Sequence, residues 1–250
     1  MILTIAAREL RGLFLSPLAW AVLAVVQFIH AWLFLGLVDY FVRIQPQLAG
    51  MPGAPGVTDQ VAAPLFNTAG VVMLLVVPLL TMRLVAEERR ARTLSLLLSA
   101  PASMSEIVLG KYLGLLGFLL LMVLLTALMP LSLSVGTHLD LGMLSAEILG
   151  LTLLVAAFAA AGLFLSTLTA QPVVAAISTF GLLLLLWIID NTGQGGDRLG
   201  SLFGYLSLLR HQQALLQGMF DSSDLLYYLL FIAAFLGLSV RHLDSYRLQH

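Results

Sequence analysis

Runs of apolar residues dominate the chain, broken by short polar stretches. A helix rising about 1.5 Å per residue needs roughly 20 apolar residues to cross a hydrocarbon layer of about 30 Å. Such runs fall at 18–38, 70–86, 108–130, 143–168, 172–190 and 225–240, predicting an all-α polytopic membrane protein of six transmembrane helices. The first run follows Arg8 and Arg11 but is too long for a signal peptide, and no small-residue cleavage site follows it, so it is expected to remain as an anchor. Residues 1–17 are amphipathic. Ile2, Leu3, Ala6, Ala7, Leu10, Leu13 and Phe14 share one arc and Thr4, Arg8, Glu9 and Arg11 the other, which predicts a helix lying on the membrane surface. It serves either as a plain topology anchor or as a collar that also touches a cytoplasmic partner.

The polar stretches differ in kind. IQPQLAGMPGAPGVTDQ, between the first two runs, is rich in Pro and Gly and predicts an irregular, mobile loop. Thr169 to Gln171 make a tight turn, and Pro172 suits the first turn of the helix after it. Before the last run, Leu202, Leu206, Leu209, Leu216 and Phe220 recur at near-helical spacing, so 196–222 reads as one or two amphipathic helices in or dipping into the outer leaflet.

The most charged stretch is AEERRARTLSLLLSAPASMSEIVLGK, from Ala86 to Lys111. Thr93 to Leu98 place Leu94, Leu97 and Leu98 on one helical face, and Ser99-Ala100-Pro101 ends that helix. Ser103 and Glu106 have the spacing of a capping box for the third span. Gly110, Gly114 and Gly117 then give that span a small-residue face suited to close helix packing, within the subunit or across a dimer.

Composition agrees with a bilayer protein: 250 residues, 60% hydrophobic and 10% charged, with a mean hydropathy of +1.01. The net charge of −1 says little, but the distribution of basic residues does. With the N-terminus inside, the inner side receives Arg8, Arg11, Arg83, Arg89, Arg90, Arg92, Lys111, Arg241 and Arg247, nine against Arg43, Arg198 and Arg210 outside. Both termini and the Ala86–Lys111 stretch are therefore expected in the cytoplasm.

Candidate chemistry is sparse. The chain has no cysteine, so thiolate metal sites and disulfides are excluded. Its one lysine stands in Gly110-Lys111-Tyr112, not in a P-loop, so ATP is not bound that way. His30, His138, His211, His242 and His250 lack metal-ligand spacing, and the nine methionines are scattered, so no metal site is expected. Only His30 falls near a span centre, where a neutral, hydrogen-bonded imidazole is the expected state. Asp39, Asp190 and Glu147 lie near span ends, within snorkelling reach of the interface. Glu87-Glu88-Arg89-Arg90-Ala91-Arg92 fits the Glu-Glu-x-x-x-Arg signature of intramembrane CAAX-type proteases, but the histidine four residues after a phenylalanine that such enzymes also use is missing.

The charged stretch resembles the permease subunits of ABC-2-type ABC transporters: an acidic pair, basic residues, Thr-Leu-x-x-Leu-Leu, a proline, then Glu-Ile-Val-Leu-Gly-Lys. RELRGLFLSPLAW, GLFLSTLTAQPVVA and LSLLRHQQALLQGMFDSSDLLYYL are similar to the gliding-motility and nitrous-oxide-reductase-maturation branch. The resemblance implies a single permease domain over 1–250, non-catalytic, paired with a second copy or close homologue and with two cytoplasmic ABC ATPase subunits that hold the ATP and magnesium. It implies a bacterial inner-membrane location and an outer-side accessory protein in the gliding branch. By position, 87–100 corresponds to a coupling helix, with Glu87, Glu88, Arg89, Arg92, Leu94, Leu97 and Leu98 facing the ATPase, and Leu202 to Phe220 correspond to outer re-entrant gate helices. The substrate would be moved outward, and the apolar spans suggest a lipid or amphiphile. A membrane scaffold that passes ATPase motion to an outer-side protein is the alternative.

Overall fold

The computed structural model describes residues 1–48, 55–92, 103–189, 207–219 and 221–249, and among these the fold is entirely helical. Helix α1 runs Ile2–Leu15 and α2 Pro17–Leu48. The break between them follows from Pro17, which disfavours helical backbone at the residue before it; Ser16 is extended, with φ −82° and ψ 122°. Trp20 Nε1 donates to Phe14 O at 2.7 Å across the break.

The second hydrophobic segment begins at Thr58, well before Gly70, with a π-helical turn Thr58–Ala62 that runs into α3, Ala63–Thr81. Polar residues hide this start in the sequence, yet Val61, Ala62, Leu65 and Phe66 are buried, and Pro64 is tolerated in a first turn. The 44–60 stretch is thus less irregular than expected, because α2 reaches Leu48 and the next helix starts at Thr58. After Pro78 the α-helix stops at Thr81, and α4, Ala86–Arg90, follows a short turn.

Helix α5, Met104–Leu131, opens on the expected capping box: Ser103 N donates to Glu106 Oε2 at 3.0 Å and Glu106 N to Ser103 Oγ at 3.2 Å. Helix α6, Leu141–Leu168, is capped by Asp140 Oδ1, which accepts from Met143 N at 3.0 Å. Thr169 to Gln171 form the tight turn, with Pro172 opening α7, Pro172–Ile188. Helices α8, Leu208–Leu216, and α9, Ser222–Gln249, complete the described chain.

Among the described residues, five helical segments are long and apolar enough to cross a membrane: Pro17–Gln47, Thr58–Arg90, Met104–Val135, Leu141–Leu168 and Ser222–Tyr246. The described part of the fifth expected span, Pro172–Ile188, is apolar but has 17 residues. At about 1.5 Å per residue that is short of a full crossing.

Helix α6 occupies the centre, packed by α3, α5, α7, α8 and α9. It is apolar on every side, and its Ala156-Ala157-Phe158-Ala159-Ala160-Ala161 run is buried, as a helix without a polar face must be. Small residues let neighbours come close; Gly162 lies against Thr81 with no space for a Cβ. Helix α2 is peripheral, turning Phe28 and Trp32 outward.

Candidate functional site

Lys111 lies two turns into α5, and its side chain is only 2% exposed. A lysine is almost never buried without a partner. Here Nζ donates to Glu9 Oε1 and to Glu88 Oε1, both at 2.7 Å. Charge-assisted bonds of this length are among the stronger polar contacts in proteins. They join α1, α4 and α5 at one buried point. Arg8 stands 3.6 Å from Glu9 on the exposed side and offsets part of the triad's extra negative charge.

Close packing brings Glu9 to this point. Helix α1 lies along the Gly110, Gly114 and Gly117 face of α5. A Cβ at Gly110 would stand 2.6 Å from Ile5 Cβ, and one at Gly114 2.6 Å from Glu9 Cβ and 2.8 Å from Ala6 O. The partner of the glycine face is therefore this chain's own N-terminal helix. Phe14 meets Phe118 edge-on at 5.6 Å, so α1 and α5 run in the same sense. Glu9, assigned to the polar arc of a surface helix, is turned toward α5 instead.

The turn between α3 and α4 is held by α6. Ser166 Oγ accepts from Val85 N at 3.2 Å and Ala86 N at 3.0 Å, receiving two amides left free by the helix break. Arg89 donates to Thr167 O at 2.9 Å and sits 4.4 Å over the ring of Tyr246 in α9. Arg92 ends this stretch in the left-handed region, φ 56°, uncommon for a side chain larger than glycine. Beside it an open groove of ≈ 540 Å³ is lined by Arg89, Arg90, Arg92 and the start of α7, so it is positively charged.

The acidic pair does not act as a pair. Glu88 faces Lys111, while Glu87 lies 3.9 Å from Arg83 in a half-exposed contact. Two carboxylates sent to different partners do not fit the water-activating dyad of the protease reading. Among the described residues no group of three His, Asp or Glu side chains is placed to hold a metal ion. Leu94, Leu97, Leu98 and Ala100 lie outside the described residues, as do Leu202, Leu206 and Phe220. Leu209 is half-buried and Leu216 buried in α8, which packs into the bundle against α6. His30 has the expected hydrogen bond, Nδ1 to Thr126 Oγ1 at 2.9 Å. Glu147 departs from expectation: it is buried inside the bundle and does not reach the interface.

Sequence reasoning missed the Lys111 triad. The available signal was a lone lysine set among glycine, tyrosine and leucine on a helix with no polar face. A charge in that setting needs a buried counter-charge.

Apolar helices of membrane-crossing length, a charged junction at one end of the hairpin they form, and no strand among the described residues define a multi-pass helical membrane protein. More narrowly, the chain belongs to the ABC-2 family transporter proteins, whose family model matches residues 3–245. It is a membrane permease subunit of an ABC transporter, the kind of chain that pairs with an ABC ATPase. No curated protein matches it.

Proposed function

We propose that this permease is the membrane half of an ATP-driven exporter in the bacterial inner membrane, with six spans, Pro172–Ile188 lying in the fifth, and both termini cytoplasmic. It works with a second copy or close homologue and two cytoplasmic ATPase subunits. Those subunits hold ATP and magnesium, and this chain is non-catalytic. Segment 87–100 is the coupling element: α4 ends at Arg90, and the part that follows Arg92 meets the ATPase. Leu94, Leu97 and Leu98 seat in the ATPase, and the arginines at the basic groove orient the contact. Segment 196–222 serves as the outer gate, and a lipid or amphiphile is the cargo.

The observation that carries this reading is the buried Lys111, bonded to Glu9 and Glu88 at 2.7 Å each. A push on the segment following Arg92 enters the bundle through α4. Glu88 then passes it to α5 and α1 together, because one ammonium holds both carboxylates. Ser166 and Arg89 pass the same displacement to α6 and α9.

Pull-down with the cognate ABC ATPase tests the docking. Burying one leucine contributes about 1.5–3 kcal/mol, against about 0–1 kcal/mol for an exposed ion pair. Leu97→Asp should therefore release the ATPase, while Arg90→Ala should retain it and only increase its sensitivity to salt. Retention of the ATPase by Leu97→Asp at wild-type levels would exclude this helix as the docking element.

A further inference from the structure

Helix α7 covers only one of its sides. Ala175, Ala176, Thr179 and Leu183 are buried against the bundle, while Val173, Ile177, Leu185 and Ile188 are exposed. Positions 173, 177, 181 and 185 follow at four-residue steps and so form one stripe down the helix. Gly181 notches that stripe, with open space where a Cβ would stand. A surface of this chemistry suits acyl chains, which are as apolar as leucine. The stripe starts inside the basic groove, because Val173 also lines the ≈ 540 Å³ space beside Arg89, Arg90 and Arg92.

The positive charge of the groove is not cancelled locally. Among the described residues no acidic side chain lines it. The carboxylates at this end are engaged elsewhere: Glu9 and Glu88 with Lys111, Glu87 beside Arg83, and Glu106 with Ser103 N. Asp244 and Arg241 of α9 lie at the same end but outside the groove. Arg89 is held by Thr167 O and the Tyr246 ring, and neither neutralises a guanidinium. Arg90 is exposed and makes no ion pair among the described residues.

We propose that the groove and the α7 stripe together seat one anionic phospholipid of the bilayer, its phosphate at Arg90 and its acyl chains along Val173, Ile177 and Leu185. The guanidinium fork matches phosphate oxygens in geometry and charge. Arg89 and Arg92 add positive potential around it. A zwitterionic headgroup carries a cation beside its phosphate, which the arginines repel, so a headgroup of net negative charge is favoured. A free anion would leave the apolar stripe unused. The inference rests on α7 lying in the bilayer as the fifth span and not on the leucine docking.

The chain has no cysteine, so Ile177→Cys in the full chain can carry a single bimane fluorophore in phosphatidylcholine nanodiscs. Quenching is measured with phosphatidylglycerol and, separately, phosphatidylcholine, each spin-labelled on the acyl chain. Phosphatidylglycerol should reach half-maximal quenching at a mole fraction about fivefold lower, the scale set by one arginine at a lipid surface. Arg90→Gln should remove at least about half of that preference. Arg11→Gln, which takes the same charge from the exposed side of α1 at the same end, should leave it unchanged. A probe on Val25→Cys, exposed on α2, should show near parity between the lipids. Equal quenching by the two lipids at position 177, full preference in Arg90→Gln, an equal loss in Arg11→Gln or an equal preference at position 25 overturns the proposal. If neither lipid quenches position 177 the proposal also falls, and iodide in the buffer separates the causes. Quenching by iodide puts α7 in water, and the fifth-span reading falls with it; no quenching leaves that reading intact, with a second copy of this chain on the stripe.

Discussion

Lys111 shows how a single side chain sets the cost of a whole junction. Its ammonium and the two carboxylates carry a net charge of −1, and burial leaves little water to relieve it. Lys111→Met keeps the volume and removes the cation, so Glu9 and Glu88 would lose the ammonium that joins them. Breaking a buried ion pair typically costs about 3–5 kcal/mol, whereas replacing every member with neutral groups is often close to neutral. Lys111→Met should therefore lower the thermal midpoint in detergent clearly, and the triple variant Glu9→Gln, Glu88→Gln, Lys111→Met should recover most of the loss. If the triple variant melts as low as the single one, the shape of the lysine, and not charge pairing, holds the three helices. A junction with wild-type stability in the triple variant but lost coupling of ATP hydrolysis to transport would separate the mechanical role from the structural one.

At the scale of elements, α1 depends on what α5 lacks. Gly110 and Gly114 admit the backbone of α1 at distances that no Cβ tolerates, whereas at Gly117 the nearest atom would be Leu10 Cδ1 at 3.5 Å, an ordinary contact. Gly114→Ala should thus dislodge α1 and pull Glu9 away from Lys111, read as a lowered melting midpoint and as faster proteolysis near the N-terminus. Gly117→Ala should be tolerated and even gain up to about 1 kcal/mol of helix propensity. Equal sensitivity at both positions would mean that α1 does not seat on this face. Much of this element was legible in advance: the capping box at Ser103, the three glycines and the tight turn at Thr169 are local signals, and local signals survive into the fold. The partner of the glycine face was not legible, because it is set by which amphipathic helix arrives there, 100 residues away in the chain. Glu9 illustrates the same limit: its place on a polar arc is local, but its buried contact depends on a lysine in another element. Thr58–Ala69 was hidden for a different reason, since its polar residues lower the hydropathy of a helix whose other face is buried.

At the scale of the molecule, the two ends of the bundle have opposite characters. One is rich in arginine, with Arg83, Arg89, Arg90 and Arg92 around the α3–α4 turn, and the other holds Asp59, Asp140 and Glu147. Basic residues are retained on the cytoplasmic side during insertion, while acidic residues contribute little to orientation, so the arginine end decides which way the bundle lies. The chain has no cysteine, which lets single cysteines report sidedness without background. Substitution at Gly53, Thr137 and Gly195 should give labelling by an impermeant thiol reagent in intact spheroplasts, and substitution at Ser99 and Gln249 should give labelling only after lysis. The Thr137 result reports the short link between α5 and α6. The Gly195 and Gln249 results bracket the helix after the fifth span and so decide whether Pro172–Ile188 crosses the membrane. If it crosses, the cysteine at 195 labels from outside and that at 249 does not; if it turns back, position 195 joins Ser99 inside and position 249 labels from outside, because Ser222–Tyr246 crosses between them. Labelling of Ser99 from outside would place the arginine end away from ATP, and neither the coupling helix nor the Lys111 relay would survive that result.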